Sequence, residues 1–489
     1  MRRALLLAAM ATLSVIALAG CAEASETAPD GSVYEYETYG SSHPNYYCVI
    51  TGAESGSEVL HVPAVLEGYD VRSISSGAFD GCAAKAVVVP PGVRSIEAGA
   101  FRGCERLTDV YFLGDRPDMG GAFREGVAIH SLEGAAGWEG SETIANVEAY
   151  GVEYAILPDG AMAVGGVPTG GVLRISSEVG GEKVSSIGPY AFAGAMRADG
   201  QVERRSDIVE AVLPEGLAAI GQRAFYYSDI ERVSVPESLG AVDDETFRAC
   251  YRLESFDLAG STRYIGFEAF RDCRSLEQVS VPEGVAIGEG AFYLCSSLNR
   301  AEVCSTPARI FGYCGALESV DIGGSPSSIG DMAFYRCSSL KEASLPGSVR
   351  TIGSEAFYGC ESLCRVSLGS VEEIGRSAFR GCSSMASVAM PASLGRVGGY
   401  AFADCVSLGE VHARGGCPEG DDTVFLNDSA KVLCSAEHRG SWERSPFGLE
   451  VEEEGGGTSG FLMLVVIVAA AAVVALLGHA ILRRRRARI

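Results

Sequence analysis

The chain has 489 residues, enough for roughly two to four ordinary domains or one repeat array. Hydrophobic residues make up 47% and charged residues 21%, which excludes a disordered or fibrous chain, and the 62 glycines lack the G-x-y period of collagen. A formal net charge of −24, with no basic stretch away from the ends, argues against nucleic acid as a partner.

Residues 1–20, MRRALLLAAMATLSVIALAG, place two arginines before an apolar run closed by small residues, the pattern of a secretory signal peptide. Leu18-Ala19-Gly20-Cys21 resembles the bacterial lipobox, which makes Cys21 a candidate for lipidation. The alternative is ordinary cleavage, for example after Ala22-Glu23-Ala24.

From there on, the pair Ala-Phe recurs, usually with Cys three residues after the Phe, as in GAFDGC, GAFRGC, EAFRDC and MAFYRC. The anchors are Phe79 and Phe101, then Phe192, Phe225, Phe247, Phe270, Phe292, Phe311, Phe334, Phe357, Phe379 and Phe402, with a period of about 22 residues from Phe225 on. Each unit continues with a stretch such as Leu276-x-x-Val279-x-Val281-Pro282, then a turn and a second apolar pair such as Val349 and Ile352. Val279 and Val281 share one face of a strand, and Pro282 ends it because it has no N–H to donate. One such unit cannot bury its own apolar face, so the fold class is a β-rich repeat solenoid in which stacked coils pair strands. Gly188 and Gly353 suggest tight corners, and a short helical or 3-10 turn is predicted at each Ala-Phe-x-x-Cys.

This grammar resembles the BspA-like (Treponema-type) leucine-rich repeats, whose pattern is approximately L-x-x-V-x-L-P-x-x-V-x-x-I-x-x-x-A-F-x-x-C, and the match spans most of residues 50–415. Segments around Tyr47-Cys48-Val49-Ile50 and Tyr154-Ala155-Ile156-Leu157 look like two entry segments of such arrays. Segments ending at Trp138 and Trp442 look like two exits. Two tandem leucine-rich-repeat modules are therefore expected: residues 32–141 with two repeats, and residues 142–447 with about ten repeats and an exit cap.

An acidic, glycine-rich linker at 448–460 leads to residues 461–482, where His479 is the one ionisable side chain. At ~1.5 Å per residue this run crosses a ~30 Å hydrocarbon core as a transmembrane helix. The arginine-rich tail, 483–489, is expected to stay in the cytoplasm. The expected localisation is thus a single-pass cell-membrane protein with its ectodomain outside. All 63 acidic residues belong to that ectodomain, whereas seven of the 39 basic ones lie outside it.

Sixteen cysteines in an exported chain invite a disulfide framework. Their positions argue otherwise. Cys82 and Cys104, then Cys250, Cys273, Cys295, Cys314, Cys337, Cys360, Cys382 and Cys405, each follow an anchor Phe by three, which stacks them in columns. Ala195 and Ser228 hold the same position elsewhere, so the site asks for a small, mostly apolar plug, and these are read as structural thiols. Cys417 and Cys434, in the exit segment, are the pair best placed to bridge.

No metal-ligand spacing, catalytic constellation or cofactor motif emerges, so no cofactor, metal or catalytic residue is assigned. The paired acids Asp243-Asp244 and Asp421-Asp422 read as solvated loop residues. The candidate binding face consists of outward strand positions: Arg232, Asp257, Gln278, Arg300, Glu302, Asp321, Glu342 and Arg365. Tyr226, Tyr227, Tyr251, Tyr293, Tyr313, Tyr335 and Tyr358 form an aromatic row on another edge, read first as packing. The resemblance implies a bacterial surface protein, not an enzyme, whose ectodomain binds a protein or other macromolecule, as in adhesion to host matrix or to other cells. The alternatives are a structural envelope protein without a ligand, or an enzyme of unrecognised class.

Overall fold

The computed structural model describes residues 22–28, 31–40, 47–139, 141–196 and 202–454. The expected signal peptide, Cys21, the membrane span at 461–482 and the basic tail lie outside the described residues, as does the end of the linker. Among the described residues no helix is long and apolar enough to cross a membrane.

Two segments open with antiparallel strands. Ala22–Thr27, Val33–Tyr39 and Tyr47–Glu54 form the first set, and Tyr47–Glu54 then runs parallel to Tyr69–Ile74. Asn146–Ala149, Val152–Leu157 and Gly160–Gly166 form the second, and Gly160–Gly166 runs parallel to Glu182–Ile187. Beyond each opening the pairing is parallel from coil to coil, the form expected of strands one repeat apart.

Most coils contribute two short strands. In one coil, Gln278–Ser280 buries Val279 and leaves its neighbours exposed, following the two-residue alternation of side chains. The second strand is a pair such as Thr351–Ile352, with the isoleucine buried. The core between them is built on the anchors, none more than 2% exposed. From Phe192 through to Phe425 successive rings stack with centroids 5.0–5.8 Å apart. Phe79, Phe101 and Phe123 form a second stack at 4.8 and 5.0 Å.

The expected helical turn at Ala-Phe-x-x-Cys is not a helix. One short bond closes it, such as Cys250 N–H to the Phe247 carbonyl at 3.0 Å. The Phe247 and Ala249 amides instead donate to the next coil, at Ala269 and Arg271. Residues two before and two after the anchor, such as Glu245 (φ 51°) and Ala249 (φ 59°), are left-handed. That alternation turns successive amides toward the neighbouring coil and cannot propagate a right-handed helix. At the corner, a column of glycines does the same by close approach: a Cβ on Gly375 would lie 2.6 Å from the Gly353 carbonyl carbon.

The strand ladder is not continuous. Arg232 meets the next coil through a single bridge to Ser255. In that coil Phe256 stands where other repeats carry Val or Ala, and its ring wedges 5.1 and 5.0 Å from Phe247 and Phe270. Residue 195 also leaves the pattern: Ala195 is exposed and starts a two-stranded excursion, Ala195–Met196 with Val202–Glu203. This accounts for the 33-residue gap between Phe192 and Phe225, and Ala195 plugs nothing.

The two cores touch. Val88 and Leu113 pack with Ile144, Ala155, Leu157 and Met162 in a third apolar cluster between them.

Candidate binding face

On the strand face, Arg232, Asp257, Gln278, Arg300, Asp321, Glu342 and Arg365 are exposed and Glu302 is half-buried. Parallel pairing sets Arg232 beside Glu210, Arg300 beside Gln278 and Ser319, Glu302 beside Asp321, and Arg365 beside Glu342. Arg300 bonds Glu302 of its own strand at 2.8 Å. Opposite charges one coil apart meet where the register allows: Arg365 bonds Glu342 at 2.9 Å and Arg232 reaches Glu210 at 3.6 Å. Lys341 with Glu318, and Lys431 with Glu452, repeat the arrangement at 2.7 and 2.6 Å. Such exposed pairs are each worth about 0–1 kcal/mol, so the charges remain open to a competing partner. Asp257 sits in the coil where the ladder fails, so the face is rigid sheet on either side of it and irregular there.

The tyrosine row is mostly packing. Tyr226 is 5% exposed and belongs to the interior. Tyr293, Tyr313, Tyr335 and Tyr358 contact one another in sequence, edge-on at 5.6 Å, tilted at 5.2 Å and stacked at 5.0 Å. Arg336 lies over Tyr313 and Tyr335. Gly312 makes room for the shortened repeat, because a Cβ there would meet the Tyr293 ring at 2.6 Å.

All ten column cysteines are free, and every one in the second array is buried. Each of those donates its S–H to the anchor carbonyl of the preceding coil: Cys250 to Phe225, Cys273 to Phe247, Cys295 to Phe270, Cys314 to Phe292, Cys337 to Phe311, Cys360 to Phe334, Cys382 to Phe357 and Cys405 to Phe379, at 3.0–3.3 Å. Burial pushes the Cys250 thiol up to about 12, so it keeps the proton it donates. Cys417 and Cys434 are not joined; their sulfurs contact the carbonyls of Pro418 and Glu452.

Three of the described histidines pair with carboxylates: His61 with Asp159 at 2.8 Å, His130 with Asp109 at 2.9 Å, and His412 with Glu410 at 3.1 Å. Among the described residues no group of three or more His, Cys, Asp or Glu is placed to hold a metal ion. A groove of about 440 Å³ lined by Pro91, Val93, Arg94, Asp115 and Arg116 contains no nucleophile beside a base.

A buried polar junction between the two arrays has no counterpart in the sequence reading. Arg223, whose side chain is 7% exposed, pairs with Asp70 of the first array and with Glu245 at 2.8 Å, and donates to the Gly68 carbonyl at 3.2 Å. Arg248 extends the chain to Glu245 and Glu268 at 2.6 and 2.9 Å. Gln222 behaves as a strand edge: its carboxamide oxygen accepts from the Ala64 and Val65 amides at 2.8 and 2.9 Å, and its nitrogen donates to the Val65 carbonyl at 2.8 Å. Asp244, expected to be solvated, is 1% exposed and accepts from the Phe267 amide at 2.7 Å. Glu26 accepts from the Glu67 amide at 2.9 Å, and burial beside Asp244, Glu67 and Asp243 pushes its carboxyl up to about 9. Charged letters flanking Phe225 and Phe247 look like any exposed turn, because a repeat pattern does not reveal which turn another module will cover.

A stack of β-coils with anchor rings inside and parallel ladders outside is a leucine-rich-repeat solenoid. The model of the BspA type leucine rich repeat region matches in six copies over residues 68–122, 175–299 and 304–431, and the chain belongs to that family. Among solved structures, the chain is similar to a leucine-rich repeat protein from Bacteroides ovatus, at 22% identity over 63% of this chain and 99% of that one, with a TM-score of 0.31. It is also similar to a leucine rich repeat protein of T. pallidum (23%, 45% and 91%, TM-score 0.35). A leucine rich cell surface protein of Faecalibacterium prausnitzii matches at 17% over 86% and 97%, with a TM-score of 0.30. No curated protein matches.

Proposed function

We propose that this is a bacterial surface protein, exported through residues 1–20 and held by a span at 461–482, whose repeat ectodomain binds macromolecules in adhesion to host matrix proteins or other cells. The observation that carries the reading is the strand face: a long row of largely exposed side chains of both signs, set on paired strands and engaged in exposed ion pairs. A repeat array offers such a surface in place of an enclosed pocket, and no catalytic role is assigned. Removal of the chain up to residue 20 leaves the edge strand Ala22–Thr27 whole, whereas cleavage after Ala24 removes three of its six residues. That supports processing in front of Cys21.

The test is binding of residues 22–454, produced as a soluble protein, to host matrix proteins, mucins and bacterial cells at about 0.15 M and about 0.5 M salt. Saturable binding to one target is expected, weaker at high salt and lost when Arg232, Arg300 and Arg365 are all changed to Glu. A second reading, a structural envelope protein without a ligand, is favoured by the way each of these arginines is already matched by a glutamate. Absence of binding by the folded ectodomain would select it.

A further inference from the structure

Cys82 departs from the rest of the thiol column. It belongs to the first coil of the first array, where the segment behind it carries no anchor phenylalanine whose carbonyl could receive its S–H. Its sulfur meets the Cys104 sulfur instead, at 2.6 Å. That is well inside the ~3.5–4.0 Å of ordinary non-bonded contact and a short relaxation from the ~2.05 Å of a disulfide bond. The two residues occupy the same position on adjacent coils, since the Phe79 and Gly81 amides donate to the Ala100 and Arg102 carbonyls. Cys104 is 1% exposed and also donates to the Phe79 carbonyl at 2.9 Å, whereas Cys82 is half-buried and reachable from solvent.

We propose that Cys82 and Cys104 are a disulfide-forming pair that staples the first array once the chain is exported. Cys82, the accessible thiol, acts first. Its thiolate attacks one sulfur of an external disulfide, either of a thiol–disulfide oxidoreductase or of a small-molecule disulfide, and one external thiol leaves. The Cys104 thiolate then attacks the Cys82 sulfur of the mixed disulfide, and the second external thiol leaves. The protein loses two protons and two electrons, and the external disulfide is reduced to two thiols. The staple falls on the array with only two anchored coils, where the core is smallest and a cross-link constrains the unfolded chain most usefully. The second-array thiols stand as the internal contrast, each buried and donating to a carbonyl.

The full chain, purified in detergent with its free thiols blocked by N-ethylmaleimide at lysis, tests this by peptide mass spectrometry. Trypsin separates the two sites, because Lys85, Arg94 and Arg102 lie between them. The expected result is a Cys82–Cys104 cross-linked peptide pair in the unreduced sample, replaced by two separately alkylated peptides after dithiothreitol. Quantitative alkylation of both cysteines in unreduced protein, even after equilibration with oxidised glutathione, would overturn the proposal, as would a cross-link from either cysteine to any other. As a second readout, reduction should lower the unfolding midpoint of the wild type and leave that of Cys82→Ser unchanged. Should that variant fail to fold, the wild-type peptide result decides.

Discussion

Three positions after each anchor from Phe247 to Phe402, a side chain hands a hydrogen to the coil behind it. Cysteine suits the place because its thiol is small, apolar and, when buried, firmly protonated. Asp428 holds this position at the exit, three residues after Phe425, and its carboxyl oxygens are buried without a hydrogen-bond partner. Burial pushes it up to about 7 from 3.8. Its folded value is raised, so its contribution to stability is complete below pH 3.8 and is lost as pH rises through about 7. Asp428→Cys should therefore stabilise the exit end by on the order of 1 kcal/mol above pH 7 and have little effect near pH 4, as read from urea midpoints at the two pH values.

Within one coil, two strands and a left-handed turn are spaced so that backbone donors reach the next coil rather than their own. Close approach at the corner follows from this, and glycine permits it. Gly375→Ala would push a Cβ to 2.6 Å from the Gly353 backbone, a collision with main chain that no rotamer relieves. The expected cost is about 1–3 kcal/mol, from overpacking. Since each coil contacts its neighbours alone, hydrogen exchange should rise in the coils around residues 353–398 and not at the entry strands. The single bridge beside Phe256 marks a weak place of the same kind, where a larger side chain interrupts the ladder that smaller ones permit.

Across the whole molecule, the junction ties the two arrays to each other. Arg223 is central, because it joins Asp70 on one side to Glu245 on the other with almost no exposure. Removing one member of a buried ion pair strands its partner, at about 3–5 kcal/mol. Arg223→Ala should lose that much stability and let the arrays part, enlarging the radius of gyration measured by small-angle X-ray scattering. The junction also titrates. The raised Glu26 carboxyl stabilises fully below pH 4.5 and progressively less as pH rises through about 9. It faces Asp243, Asp244 and Glu67, and all three oppose its ionisation. Glu245 works in the opposite sense: although burial raises it, Arg223 and Arg248 hold it below its ordinary value, and that contribution fails in acid. From pH 6 to pH 9 the first effect governs. Docking of the first array should weaken over that interval, and Glu26→Gln should flatten the change in thermal midpoint.

Periodicity made the coil legible: the anchors, the alternating strand residues and the thiol column all recur at one spacing, and each repeats because every coil presents the same surface to the next. The candidate face was legible for the same reason, since alternation alone says which strand residues point outward. The turn conformation was not, because left-handed residues such as Ala249 and Leu294 carry no distinctive side chain. Nor was the charge matching on the face, since partners such as Glu342 and Arg365 stand 23 residues apart and meet only through coil register. The junction lay furthest from view. Asp70 and Arg223 are 153 residues apart, and nothing periodic connects them. By itself the sequence determined the repeating unit, its buried anchors and its outward residues, because these depend on neighbours one coil away. The tertiary structure alone decided where the ladder breaks, which thiol meets another thiol, and which charged turn is covered, because each depends on surfaces that meet only after the arrays have folded.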